Sequence, residues 1–125
     1  MQLLAIFFLT ILPNNPTDIS NEEIEARIQK VWVLAEAKPT AGGYWQMEAD
    51  TLDLQTLSFS KIDKPESLLY LEKSEDKLYI KNIQNKAYYL VEDLTENILL
   101  LRLYMPFNNT EKMIEIGAFE YRYNT

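Results

Sequence analysis

The chain has 125 residues, 47% of them hydrophobic and 25% charged, with a formal net charge of −7 and neither cysteine nor histidine. That length and balance suit one globular domain closing one core without disulfides. The missing residues exclude thiolate nucleophiles, Ser-His-Asp and Cys-His catalytic sets and the commonest zinc ligands, while an acidic body repels phosphate backbones and anionic lipid surfaces.

Residues 1–17 carry no charge, and MQLLAIFFLTIL is almost continuously apolar from Leu3 to Leu12. Such a run is too short to span a bilayer, so no integral membrane span is expected. It matches the apolar region of a secretory signal peptide in length. No Lys or Arg precedes it and PNNPTDIS offers no small-x-small cleavage site, so a first strand or helix of the core is the alternative. Pro13 and Pro16 flank two asparagines as a linker would. The expected organisation is a signal peptide and linker over 1–17 and a single domain over 18–125. The product is exported, periplasmic or secreted, if the segment is a signal, and cytoplasmic otherwise.

ISNEEI then predicts a helix start. Ser20 is the N-cap, Glu23 its capping-box partner, and Ile19 and Ile24 the hydrophobic staple. Glu22 and Glu23 suit the positive end of the helix dipole, and Ile24 and Ile28 mark one apolar face. The helix should run from about Asn21 to Ile28. KVWVLAEA follows as a strand ending at Pro39, then KPTAGG as a loop and YWQME as a short strand. LDLQTLSFS reads as a strand whose phase shifts near Gln55 and Thr56, as at a bulge. IDKPES is a turn. LLYLEK, LYIKN, AYYLVED and ILLLRLYM are strands separated by the polar turns SEDK, IQNK and LTEN. In LYIKN, Leu78 and Ile80 face one way, Tyr79 and Lys81 the other. After the loop PFNNTEK, MIEIGAFEYRY is the last strand. Ile114 and Ile116 share one phase, Phe119, Tyr121 and Tyr123 the other, and Gly117 at the switch suggests a bulge. A strand buried on both faces is the other reading.

The fold class expected is mostly β: an antiparallel meander of seven or eight strands, with one short N-terminal helix. Evenly spaced short strands with polar turns point to a sandwich or barrel, and a single helix does not make βαβ units.

IQKVWVLAE, LSFS, LYIKN and YYLVEDLTENILLLRL together resemble the small lipocalin-like domains of bacterial exported proteins, over roughly residues 20–123. The resemblance implies a closed barrel around a small cavity. Lipocalins carry Gly-x-Trp in the first strand; here Lys30, Val31 and Trp32 stand there, without the glycine. The resemblance further implies an arginine packed over Trp32, with Arg122 the positional candidate and Arg102 its rival, held by a cation–π contact.

Trp32 is read as a structural residue closing the barrel base. Tyr44 and Trp45, after Gly42 and Gly43, are candidate ligand contacts over the barrel mouth. Tyr70, Tyr88 and Tyr104 are candidates because rings with polar tips can line a small-molecule site; sheet packing is the competing use. Glu48, Asp50 and Asp53 form an acidic cluster that lacks the glycine-bearing loop calcium requires, and as carboxylates for acid/base chemistry they are supported by spacing alone. No metal or cofactor is expected. Asn108-Asn109-Thr110 is a formal glycosylation sequon.

Two functions remain open. One is a non-enzymatic binding module whose barrel holds a small hydrophobic or aromatic ligand. The other is an acidic protein–protein module, such as an inhibitor, immunity-type or accessory protein, with a filled barrel and a basic partner. No residue set points to an enzyme.

Overall fold

The computed structural model describes residues 19–40, 50–59, 68–108 and 110–123. Helix α1 spans Asn21–Ile28. Seven strands follow: β1 Val31–Pro39, β2 Thr51–Asp53, β3 Leu69–Ser74, β4 Lys77–Asn82, β5 Tyr88–Leu94, β6 Ile98–Pro106 and β7 Met113–Tyr123.

The helix begins where expected. The Ser20 side chain accepts a hydrogen bond from the Glu23 N–H (3.2 Å), which satisfies one of the donors a helix start leaves open. Ile19 packs against the core that holds Ile24 and Ile28, both fully buried. An ion pair from Glu23 to Arg27 (2.8 Å) spans one turn on the outer side.

All strand pairings are antiparallel, in the order β2-β1-β7-β6-β5-β4-β3. Strands β3 to β7 form the expected meander, and β1 docks on the last strand. The sheet curls into a half-barrel and does not close. Its outer strands, β2 and β3, do not pair with each other among the described residues. A backbone bond from the Leu71 N–H to the Ser58 carbonyl (2.8 Å) links β3 to the segment after β2.

Three register shifts curl the sheet, each leaving one residue unpaired. They fall between Leu34 and Glu36 in β1, between Val91 and Asp93 in β5, and opposite Leu103/Tyr104 in β7. The last leaves Ile116 unpaired beside Gly117, where the phase switch was expected. Across it, Leu103 faces Gly117 and Met105 faces Ile114, so both halves of β7 follow the same side of β6.

The anticipated bulge at Gln55–Thr56 is instead a turn. Strand β2 stops at Asp53, whose Oδ1 accepts the Gln55 N–H (3.0 Å). This local bond competes with the ladder. It lets Leu54 and Leu57 both reach the core, joined by the Leu57 N–H to the Leu54 carbonyl (3.1 Å).

The core is one cluster on the concave face. The helix closes one end of it. Ile24 and Ile28 meet Trp32, Leu54, Leu57, Leu94 and Leu99, all almost fully buried. Three side chains tie the helix region to the sheet and to the turn after β2: Arg27 to the Leu94 carbonyl (3.4 Å), Gln29 to the Leu57 carbonyl (2.5 Å), and Lys73 to the Ile19 carbonyl (3.0 Å). Hereafter this is the sealed end. The opposite end, where β1 and β6 finish and β3 and β5 begin, has no helix among the described residues.

Candidate functional site

On the concave face, between the turn after β2 and the strands β3 to β6, lies a recess of about 510 Å³ open to solvent. This falls within the range of small-molecule sites, roughly 300–1,000 Å³. Its walls are Leu69 on β3, Ile80 on β4, Leu103 and Met105 on β6, and the ring of Tyr89 on β5. Strand alternation puts them on one side: Ile80 pairs with Tyr89, and Tyr89 with Leu103, and directly paired residues share a face.

Polar groups form the margin: Asp53 and Thr56 on one side, Asn82 and Asn85 on the other. The asparagine carbonyls are committed to the β4–β5 turn. Asn82 accepts from the Gln84 and Asn85 N–H groups (2.8 and 3.2 Å), and Asn85 from that of Ala87 (2.8 Å). Their amide hydrogens therefore remain the groups available to a ligand.

The Tyr89 hydroxyl makes no hydrogen bond to a described residue. Burial pushes its pKa up. Tyr121, next to it in the core, is raised well above the ordinary phenol value, first by burial, then by the Tyr89 phenol and the Asp50 carboxylate. Both phenols are protonated at neutral pH, because burial disfavours the charged form.

No family model, curated protein or solved structure matches the chain.

The tyrosines singled out from the sequence stand elsewhere. Tyr70, Tyr88 and Tyr104 lie on the convex face, in a row across the sheet that reads Tyr70, Lys81, Tyr88, Tyr104, Glu115. Tyr88 stacks on Tyr104 with ring centroids 5.1 Å apart, and Tyr79 meets Tyr88 edge-on at 5.4 Å. These are cross-strand sheet pairs, worth about 0.5–1.5 kcal/mol beyond area burial, and none of them lines the recess. Tyr44 and Trp45 lie outside the described residues, as does Glu48. Asp50 and Asp53 are exposed, and no group of three or more acidic residues among the described residues is placed to hold a metal ion.

The arginine expected over Trp32 is not there. Arg122 pairs with Val33, on the face opposite Trp32, and its guanidinium binds Glu120 (2.7 Å). Arg102 is also on the convex face, held by Glu92 and Glu115 at 3.0 Å each. The cation near the tryptophan is Lys30. Its ammonium lies 5.7 Å from the Trp32 ring and 4.6 Å from that of Tyr123, and donates to the Glu96 carbonyl (2.7 Å). The position that carries glycine in lipocalins thus supplies the cation. Trp32 itself is fully buried and its indole N–H donates to the Ile28 carbonyl (3.0 Å), which joins strand to helix.

Most residues that form the recess were missed from the sequence. Tyr89 had a usable signal: it lies two residues before Val91 in β5, and so on the same side as this buried residue, whereas Tyr88 lies on the other.

Proposed function

We propose that the protein is a non-catalytic, lipocalin-like binding module holding a small, largely hydrophobic ligand in the recess of its curled sheet. The observation that carries the reading is an open space of about 510 Å³ walled by Leu69, Ile80, Leu103 and Met105, with Tyr89 also lining it. A few convergent polar groups in an apolar hollow are what small-molecule recognition requires. The half-barrel form supports the reading too, because a sheet that closed fully around side chains would leave less room. The absence of His and Cys argues for binding without catalysis.

The alternative, an acidic docking module, needs bare carboxylates gathered on one face. The convex face instead pairs its acids with bases: Glu72 with Lys81, Glu92 and Glu115 with Arg102, Glu120 with Arg122. That arrangement favours a solvated surface. Export through residues 1–17 remains part of the proposal and rests on the uncharged apolar run alone.

The test is a two-dimensional NMR titration with decanol, a neutral apolar chain. Shifts should cluster on Tyr89, Leu103, Met105 and Ala87, and Tyr89→Phe should weaken binding several-fold. Shifts scattered over the convex face, or none at all, would remove the reading.

A further inference from the structure

We propose that Tyr88 and Tyr104 form a site of oxidative cross-linking, joined carbon to carbon as a dityrosine when the protein meets a peroxide and a catalyst of one-electron oxidation. The pair lies on the convex face, and its chemistry does not depend on what the recess holds.

The two residues face each other across β5 and β6. Their rings are stacked, with centroids 5.1 Å apart and 21° between the planes. Both are half-buried, so packing holds the rings while their edges reach solvent. Tyr79 meets Tyr88 at 5.4 Å, but edge-on, at 81°. That difference in angle decides which pair couples. The unpaired electron of a phenoxyl radical occupies orbitals perpendicular to the ring, largely on the oxygen and on the two carbons ortho to it. Stacked rings aim those orbitals at each other. An edge-on ring aims its hydrogens at the neighbouring face instead. Among the aromatic contacts between described residues, Tyr88 with Tyr104 is the stacked one. Burial, and after it the Tyr104 and Tyr79 phenols, raise the pKa of Tyr88, with Lys81 acting the other way. The phenol is thus protonated at neutral pH, and its oxidation releases a proton with the electron.

Each phenol gives up one electron and one proton, which leaves two neutral phenoxyl radicals side by side. A bond forms between one ortho carbon of each ring. The hydrogens on those carbons then move to the oxygens and restore both phenols. The pair has lost two hydrogen atoms in all. The peroxide takes the two electrons: hydrogen peroxide leaves as water, using the two protons, and persulfate leaves as sulfate, with the protons passing to solvent. Because neighbouring strands hold both radicals, the coupling is intramolecular and outruns encounter between molecules. The chain has no cysteine, so a disulfide cannot tie its strands. Trp32 is fully buried, and Met105 is 40% exposed, but methionine oxidation adds oxygen to sulfur and forms no link.

The test illuminates the full chain, at low concentration, with a ruthenium tris-bipyridine complex and persulfate. Dityrosine fluorescence should appear in the monomer, with a mass lower by two hydrogen atoms. Trypsin cuts after Lys86, Arg102 and Lys112, so residues 87–102 and 103–112 should be recovered as one linked species. Tyr88→Phe and Tyr104→Phe keep a ring in the stack, and each should lower the monomer's dityrosine yield at least about fivefold, whereas Tyr79→Phe should leave it within about twofold. The linked protein should unfold at a higher urea concentration than Tyr104→Phe given the same treatment, because the link closes a loop in the unfolded chain. Dityrosine found only between molecules overturns the assignment, as does a link that survives Tyr88→Phe or Tyr104→Phe, or one lost in Tyr79→Phe. A linked protein less stable than the treated variant would mean that the rings leave their native stack to couple, and would overturn it equally.

Discussion

The two ends of the sheet are built from the same strands and serve opposite purposes. At the sealed end, α1 lays Ile24 and Ile28 onto Trp32, Leu94 and Leu99, and no side chain of that group is exposed. At the open end the same strands carry Leu69, Tyr89, Leu103 and Met105, which are only partly covered and enclose empty volume. Among the described residues the difference is one helix. An apolar strand face against a capped helix becomes core, and the same face without a helix becomes a recess. Stability should therefore be concentrated at one end and ligand capacity at the other.

The comparison breaks most severely at Trp32. Trp32→Ala removes the largest fully buried side chain and should cost about 3–5 kcal/mol in urea denaturation. A loss below about 1 kcal/mol would show that the sealed end is as soft as the open one. A gentler contrast comes from adding volume. Leu99→Phe at the sealed end should cost about 1–3 kcal/mol by overpacking. Leu103→Phe, pointing into space, should change stability by less than about 1 kcal/mol and weaken decanol binding at least several-fold. Equal costs at the two positions would mean that the recess is closed in solution.

Smaller effects sharpen the picture. The β3–β4 turn, just after the Lys73 that binds the Ile19 carbonyl ahead of the helix, places Glu75 and Asp76 at φ of 51° and 65°. That is left-handed backbone, which Asn and Gly tolerate better. The pair Glu75→Asn with Asp76→Gly should raise stability by about 1 kcal/mol, read as a shift in the urea midpoint at unchanged slope.

The smallest effect lies on the convex face near the open end, where the Thr40 hydroxyl and then Arg102 hold the Glu115 carboxyl below its ordinary value of 4.5. A depressed folded-state pKa stabilises the protein above the ordinary value, and the gain fades as pH falls through the lowered pKa. Thr40→Val should move the Glu115 titration, followed by carbon-detected NMR, back toward 4.5. It should also flatten the loss of stability below that pH. An unchanged midpoint would show that the Thr40 contact carries no weight in solution.

Much of this plan is written locally in the chain. Ser20, Glu23 and the isoleucines around them announce the helix because a cap depends on residues within one turn. The strands from LLYLEK to the C-terminus were legible from alternation, and Gly117 marked its bulge. What misled was information held between strands. Asp53 ends β2 through a bond to the N–H two residues on, so LDLQTLSFS is strand only at Leu52 and Asp53. The tyrosines were picked by type, although the face a ring occupies is set by register with buried partners. Arg122 was placed over Trp32 by position, whereas its pairing with Val33 turns it outward. Lys30, two residues before the tryptophan and just outside β1, reaches it with its ammonium over the Tyr123 ring.

An open sheet also has two edges. A closed barrel has none, and an unpaired strand is a template for another chain. Here β2 is only three residues long, and β3 carries Glu72 and Lys73 in its middle, so neither rim offers a long apolar ribbon to a neighbour. With a net charge of −7, mutual repulsion between molecules reinforces that protection. Colloidal behaviour thus becomes part of the design: concentrated protein should stay monomeric in dilute buffer and drift toward self-association as salt screens the charge.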